Sequence, residues 1–333
     1  MGLLVLTVAA LVSAQSVSKQ PVVRLDAVDA LLHAFRTHRV VALGDPHGNE
    51  QAHALRLALI RHPRFAESVD DVVVEFGNAR YQELVDRFVQ GAAVSDADLR
   101  RVWQDTTQVS GVWDRPIYET IFRTVRSVNE RLPPSRKLRV VLADPPFDWE
   151  QVRQSNELPA STQPGRVRLY GLWMDKEQAA AFDRDRHAAE VVQREVLSKS
   201  RRALLVFGDM HLRRGARSVV SILEETYGAK VLTAANAVGP RYVGLNSAVP
   251  GLSSWVVHGL VLVAGTRLES PFGGFDSVIY LGPPEAMTTS KLPESLCADA
   301  GYLAMRQERL AWNGVTPEKA DDLLARDCPA VRR

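Results

Sequence analysis

Short aliphatic runs alternate along the chain with segments of helical periodicity. The runs at 40–43, 72–74, 138–143 and 203–207 have the length and composition of buried strands. Between them, apolar residues recur at the spacing of amphipathic helices, as at 50–61. This alternation predicts an α/β fold with a mostly parallel central sheet flanked by helices.

The tetrapeptide Gly-Asp-x-His occurs twice, each time directly after a predicted strand. Residues 44–47 read Gly-Asp-Pro-His and residues 208–211 read Gly-Asp-Met-His. Open α/β sheets bind ligands at the carboxyl ends of their strands, where a glycine allows a sharp turn and the next polar residues face the crevice. We therefore expect His47 and His211 to meet at one edge of the sheet.

Glu75 follows the predicted strand at 72–74 and is expected at the same edge. Two imidazoles and a carboxylate can ligate a divalent cation, here Mn, Co, Zn or Fe, with a position left for water. They can equally form a general base with the carboxylate that orients it. A purely structural role, in which the histidines only cap strand ends, remains the third interpretation.

Asp45 and Asp209 each precede a histidine of the repeated motif by two residues. In an extended segment alternate side chains share a side, so each aspartate is expected to hold the tautomer of its imidazole. The alternative is that both bond local N–H groups as turn residues. Both belong to the predicted catalytic set.

A long helix is predicted over residues 176–199, with Arg184-Asp185-Arg186-His187 near its middle. Such a run is typical of a solvated face of mixed charge. The alternative is an arginine turned inward, where a fixed cation stabilises developing negative charge. Arg184 is the first candidate for this role and Arg186 the second.

The N-terminal residues 2–14 form an apolar run that ends in Val-Ser-Ala before Gln15. This pattern predicts a signal peptide over residues 1–14 and export to the periplasm or the medium. Positive charge is missing from its n-region, since the first Lys is Lys19. A misassigned start codon or a misinterpreted short strand is the alternative.

The two cysteines, Cys297 and Cys328, lie close to the C-terminus. In an oxidising compartment they are expected to form a disulfide. The alternative is a pair of free buried thiols. With no second pair and no CxxC motif, the sequence does not favour a cysteine-ligated zinc.

The charge balance of 41 Lys and Arg against 39 Asp and Glu leaves a net charge of +2. This value disfavours nucleic acid as a partner. No segment offers the roughly 20 apolar residues of a membrane crossing, so an integral membrane protein is not expected. We divide the chain into a signal peptide (1–14), a helical lead-in (15–37), an α/β domain (38–285) and a C-terminal tail (286–333). The oligomeric state is not indicated.

The two Gly-x-x-His motifs and Glu75 resemble the superfamily that joins erythromycin-esterase-like proteins, haem-uptake ChaN proteins and Tiki/TraB proteins. The resemblance covers about residues 38–285. It implies an erythromycin-esterase-like or ChaN-like fold in which His47, Glu75 and His211 line one cleft. Arg184-Asp185 resembles the arginine–acid pair of the esterase-like branch, and residues 275–282 resemble its terminal core strand.

The branches of this superfamily imply different activities. Esterase-like members hydrolyse a macrolide lactone with histidine-activated water, Tiki members are metal-dependent proteases, and ChaN binds haem. The first motif here departs from the esterase form, because Asp45 replaces the usual Glu and one residue fewer separates acid from histidine. We therefore expect an exported hydrolase of an ester, lactone or amide, acting on a small-molecule or peptide substrate. The alternatives are an envelope protein that binds haem or metal without turnover, and a degenerate scaffold.

Overall fold

The computed structural model describes residues 21–329, apart from 216, 256, 265 and 267. The predicted signal peptide at 1–14 lies outside these residues. An eight-stranded sheet forms the centre of the molecule, in the order β1-β9-β10-β8-β2-β7-β3-β4. Its strands are β1 (Leu25–Asp26), β2 (Val40–Gly44), β3 (Asp71–Asn78), β4 (Arg139–Asp144), β7 (Ala203–Phe207), β8 (Val231–Asn236), β9 (Gly259–Leu262) and β10 (Ser277–Tyr280).

Pairing within this sheet is parallel except at one edge, where β9 runs antiparallel to both β1 and β10. The predicted mostly parallel α/β sheet is therefore confirmed. A separate antiparallel hairpin consists of β5 (Arg166–Leu169) and β6 (Leu172–Asp175).

Helices cover both faces of the sheet because successive strand residues point to opposite sides. Val41 and Leu43 pack into one apolar cluster, whereas Val40 and Ala42 pack into the other. The longer helices are α1 (Ala27–Ala34), α2 (Glu50–Arg61), α4 (Gln82–Val89), α5 (Asp96–Gln104), α6 (Pro116–Asn129), α7 (Trp149–Glu157), α9 (Arg184–Val192), α11 (Val219–Tyr227), α12 (Pro240–Ala248), α15 (Ala300–Trp312) and α16 (Pro317–Asp327). The shorter ones are α3 (Phe65–Ser68), α8 (Lys176–Ala181), α10 (Asp209–Leu212), α13 (Glu269–Phe272) and α14 (Glu294–Cys297).

The helix predicted over 176–199 is interrupted, and this changes the position of Arg184. α8 ends at Ala181, and Asp183 then caps the start of α9 by accepting a hydrogen bond from the backbone N–H of Arg186. A π-helical turn, Gln193–Leu197, follows α9. Arg184 is thus the first residue of a helix rather than its middle, because the Asp183 cap begins a new helix there.

The C-terminal helices are joined by a Cys297–Cys328 disulfide between α14 and the end of α16, as predicted. Arg306 of α15 donates to the backbone oxygen of Ser110 and pairs with Asp327 at 3.2 Å. These contacts attach the C-terminal helices to the loop that precedes α6. Among the described residues, no helix is both long enough and apolar enough to cross a membrane.

Candidate active site

The carboxyl ends of β2, β7 and β3 meet at one edge of the sheet. Gly44 and Phe207, the last residues of β2 and β7, are paired, and regular pairing of β3 with β7 ends at Val74 and Val206. The register of β3 shifts beyond Val74, so Glu75 lies within a strand that continues to Asn78. His47, Glu75 and His211 therefore extend from neighbouring strand ends.

The imidazole of His47 is held by Asp45. The Nδ1 atom of His47, which lies at the start of a turn, is 2.9 Å from Oδ2 of Asp45. Arg56 of α2 is buried beneath them and pairs with the other carboxylate oxygen at 2.7 Å. The Tyr118 hydroxyl donates a further hydrogen bond to Asp45 at 3.1 Å. The orienting role predicted for Asp45 agrees with this geometry.

Asp45 is ionised, which determines the tautomer of His47. Burial raises the pKa of Asp45, but the Arg56 guanidinium and the His47 hydrogen bond outweigh it and lower that pKa to about 2. Because a carboxylate only accepts hydrogen bonds, Nδ1 of His47 carries the proton. Burial lowers the pKa of His47 itself, yet Asp45 and Glu75 together raise it above the ordinary value. In the neutral ring, Nε2 is therefore the basic atom.

The Nε2 atom of His47 makes no hydrogen bond to the residues that the structure describes. The His47 side chain is 36% exposed, and the edge of Trp113 packs against it with ring centroids 4.6 Å apart. Trp113 is itself buried. These contacts leave Nε2 of His47 without a protein partner among the described residues.

His211 has a different environment, since carboxylates engage both of its ring nitrogens. Its Nδ1 atom is bonded to Asp185 of α9, and its Nε2 atom lies 3.2 Å from Oε1 of Glu75. Burial lowers the pKa of His211, but these two partners raise it to about 10. His211 is thus an imidazolium at neutral pH and serves as a fixed cation rather than a base.

Glu75 connects His211 to the backbone of the second motif and to Arg184. Its Oε2 accepts the Gly208 N–H at 2.7 Å, and its Oε1 lies 3.5 Å from the Arg184 guanidinium. Burial raises the pKa of Glu75, but His211 and Arg184 lower it below the ordinary value. Glu75 is therefore an anion that fixes two cations.

Arg184 turns inward, which is the alternative to a solvated face for this run. Its guanidinium lies 3.0 Å from the buried carboxylate of Asp144 at the end of β4, and Nη1 makes no hydrogen bond to described residues. The Thr107 backbone N–H and hydroxyl each donate to Asp144 at 2.7 Å. Arg186 is exposed and lies near Asp183 instead.

Asp209 does not orient His211, and this prediction is corrected. The alternation of side chains applies to extended backbone, whereas residues 209–212 form the helical turn α10. Asp209 pairs with Arg241 of α12, and the residue that holds His211 is Asp185. Asp209 also packs against Gly44, where an added Cβ would lie 1.6 Å from its Oδ1 atom. The first glycine of the motif is required by this close approach.

Gly208 keeps the space between His47 and Glu75 open. A Cβ atom at this position would lie 3.1 Å from Cε1 of His47 and 3.4 Å from Oε2 of Glu75. Because Gly208 has no side chain, a gap about as wide as one small group remains between the His47 ring and the Glu75 carboxylate.

The donors of this site do not fit the predicted Mn, Co, Zn or Fe centre. Metal ligands bind through deprotonated nitrogens, whereas both nitrogens of His211 are bonded to carboxylates and its pKa is about 10. Over the described ranges, no group of three or more His, Cys, Asp or Glu side chains is arranged to hold a metal ion.

Several site residues were absent from the predicted set, among them Arg56, Trp113 and Tyr118. They lie on helices and loops far from the strand ends, and a single sequence contains no signal for the packing that brings them there. Asp185 was indicated only by the resemblance to the esterase-like arginine–acid pair. His53, six residues after His47, is buried on α2 and bonded to Thr120 rather than to the site.

A family model described as haem-binding uptake, Tiki superfamily, ChaN matches residues 31–135. This segment is ChaN-like. It includes the first Gly-Asp-x-His motif and Glu75, two of the features on which the resemblance rests. The resemblance to the ChaN and Tiki superfamily is therefore confirmed. No curated protein matches the chain by sequence.

Solved structures resemble a larger share of the chain than the family model matches. A succinoglycan biosynthesis protein aligns with a TM-score of 0.55 over 80% of this chain and 92% of its own, at 8% identity. A Bacillus cereus protein aligns with a TM-score of 0.49 over 76% and 90%, at 12% identity. ChaN of Campylobacter jejuni, described with cofacially bound haem, aligns with a TM-score of 0.34 over 63% and 86%, at 12% identity. The first of these likenesses confirms the fold.

Proposed function

We propose that the protein hydrolyses an ester, lactone or amide of a small molecule or peptide, with water activated by His47. The observation that carries this proposal is the Asp45–His47 pair, which leaves Nε2 of His47 basic and without a hydrogen-bond partner among the described residues. A histidine held by a buried carboxylate is the usual arrangement of a general base.

In the proposed reaction, a water molecule loses a proton to Nε2 of His47 and its oxygen forms a bond to the carbonyl carbon. Asp45 stabilises the resulting imidazolium through Nδ1–H. The tetrahedral intermediate collapses when the bond to the leaving oxygen or nitrogen breaks, and Nε2–H returns the proton to that atom. Atoms and charge balance, and His47 is regenerated.

The negative charge that develops on the carbonyl oxygen needs a fixed cation. Arg184 supplies one, since its Nη1 atom is free of the carboxylates that hold the rest of the guanidinium. The His211 imidazolium lies against the same Oε1 atom of Glu75 as Arg184 does, and adds a second positive charge there. Preorganised cations in a partly buried site stabilise such charge strongly.

Haem binding without turnover is the second candidate, and the family match over 31–135 favours it. Two donor atoms could hold the haem iron: Nε2 of His47 and the sulfur of Met210, whose side chain is 68% exposed. Bound haem would supply redox chemistry or serve as cargo. His47 would then act as a ligand rather than as a base.

Export is part of the proposal, and the disulfide supports it, because such bonds persist in oxidising compartments. The substrate would then meet the enzyme in the periplasm or outside the cell.

One preparation of the untagged protein separates the two functions. Turnover of esters and lactones by the wild type, lost in His47→Gln, supports the hydrolase. A saturable Soret band on titration with haemin, lost in His47→Gln or Met210→Ala, with no turnover of any ester or lactone, supports the haem protein and overturns the hydrolase.

A further inference from the structure

A cavity of about 450 Å³ opens beside His47 at the carboxyl ends of β8 and β10. Its walls come from the Asp-Pro-His segment, from residues 237–239 and Tyr242, and from residues 282–289. The volume lies within the range of small-molecule sites. Because His47 forms one wall, anything in the cavity is next to the proposed general base.

Apart from His47, the side chains that line the cavity are uncharged. Pro46, Val238, Tyr242, Pro284 and Met287 present mainly apolar surface. Among the described residues that line the cavity, none is Asp, Glu, Lys or Arg. Away from His47, a charged group entering this space would lose water without gaining a charged partner, which is costly. The cavity thus discriminates against charge.

The charged side chains of the site lie on the other side of His47. Glu75, Arg184 and His211 extend from β3, α9 and α10, whereas the cavity walls follow β8 and β10. In the sheet, β2 separates β8 from β7. A substrate that lies across the end of β2 would therefore place an apolar end over β8 and its reacting carbonyl toward Arg184 and His211.

The outer wall of the cavity is held in place by the segment that follows β10. Ser290 N–H donates to the Gly48 oxygen at 2.8 Å, and Glu50 N–H donates to the Thr288 oxygen at 3.1 Å. Asn49 and Thr289 form a β-bridge, and the Asn49 amide also contacts the Met287 sulfur. These bonds fix Met287 and Thr289 against the loop that carries His47, so the cavity is preformed.

From these observations we propose that the cavity binds the uncharged apolar acyl or alkyl portion of the substrate, so that the enzyme selects neutral esters with an aliphatic or aromatic side. The inference rests on the proposed hydrolase for its catalytic part. The cavity's affinity for a neutral apolar group can be tested without turnover. The walls at 237–239 and 282–289 lie outside the ChaN-like segment, so this selectivity belongs to the part of the chain that the family model does not match.

The experiment compares p-nitrophenyl acetate, butyrate, octanoate and monosuccinate on the wild type. Burying each added methylene is expected to raise kcat/KM about fourfold until the cavity is filled. The anionic succinate ester should react at least about tenfold more slowly than butyrate. Val238→Phe, which fills the cavity, should abolish the gain from butyrate to octanoate. The control Val243→Phe, at a 63% exposed position next to Tyr242, should keep it.

A second readout does not depend on catalysis. N-phenyl-1-naphthylamine, a neutral apolar dye, should bind the wild type and Val243→Phe saturably with bright fluorescence, and should bind Val238→Phe at least about tenfold more weakly. If Val238→Phe fails to fold, Thr289→Phe fills the cavity from its exposed rim instead.

The outcomes separate the two proposals. Turnover with no dependence on chain length, or equal turnover of succinate and butyrate, overturns the cavity's role and leaves the hydrolase standing. No turnover of any ester overturns the hydrolase, and dye binding then tests the cavity by itself. Binding by the wild type that is lost in the filling variant supports the apolar site. No binding by the wild type overturns it.

Discussion

The Nε2 atom of His211 lies 3.2 Å from Oε1 of Glu75, so the second histidine of the repeated motif is part of an ion pair. Asp185 engages the other ring nitrogen. His47, by contrast, has one carboxylate partner and one open nitrogen. Two copies of the same tetrapeptide thus differ in role, because one carboxylate raises the pKa of His47 and leaves a nitrogen open, whereas two carboxylates raise the pKa of His211 to about 10.

The pH dependence of hydrolysis should follow His47. Its pKa is raised above 6.5, and only the neutral ring is a base, so kcat/KM should rise with pH through one midpoint above 6.5 and then level off. In Asp45→Asn the carboxylate that favours the protonated ring is gone, so the midpoint should move down and the plateau should fall about 100-fold or more. An unchanged midpoint in Asp45→Asn would contradict the assignment.

His211 should remain protonated well above neutral pH. Its pKa of about 10 exceeds the ordinary value of 6.5, so the stability it contributes is fully present below pH 6.5 and is lost as pH rises through 10. His211→Gln should therefore lower the free energy of urea unfolding more at pH 6 than at pH 10. Equal destabilisation at both values would show that His211 is neutral in the folded protein.

Arg184 should act on the rate more than on substrate binding. Arg184→Gln removes the proposed oxyanion partner and should reduce kcat about 100-fold with a smaller change in KM. Arg184→Lys should recover part of the loss because it keeps the charge. The matched control is Arg186→Gln, two residues along the same helix and exposed, which should react like the wild type. Equal losses in both glutamine variants would point to damage to α9 instead.

The disulfide should stabilise the C-terminal helices. It joins residues 31 positions apart, and closing such a loop contributes about 4 kcal/mol to the free energy of unfolding. Reduction, or the double variant Cys297→Ala/Cys328→Ala, should lower the urea-derived free energy by about that amount. A loss of less than about 1 kcal/mol in both would mean that non-covalent contacts, such as those of Tyr302 and Arg306, hold these helices without the disulfide.

Helix α15 should also affect the site indirectly. Tyr302 of α15 donates to Asp114 at 2.7 Å, next to the Trp113 that packs on His47. Tyr302→Phe removes that hydrogen bond with little change in shape. We expect a moderate fall in kcat/KM with an unchanged His47 pH midpoint, measured on the same ester. No change at all would show that Trp113 is positioned by its own packing.

Much of the sheet was predictable because its central strands are short aliphatic runs with a glycine or a polar residue at their carboxyl ends. The same logic placed His47, Glu75 and His211 at one edge, and Asp45 beside His47. Arg56 was not predictable, since helix periodicity does not distinguish a buried arginine that pairs with Asp45 from a surface arginine. Its pairing is visible only once α2 packs against β2.

The errors arose where local backbone geometry differed from the assumed one. Asp209 lies away from His211 because the segment after β7 forms a helical turn, whereas the alternation of side chains that would bring the two together requires extended backbone. Arg184 was expected inside a long helix, and the Asp183 cap begins a new one. Asp209 pairs with Arg241, and Arg184 pairs with Asp144. Both partners are distant in sequence, and no local pattern indicates them.

The most direct test of the central claim is kcat/KM for p-nitrophenyl butyrate at pH 8, measured for the wild type and His47→Gln with matched thermal midpoints. His47 is proposed to take the proton from water, so the variant should lose about 100-fold or more of the activity while remaining folded. Equal rates for the two proteins, or a wild type no faster than buffer, would contradict the account.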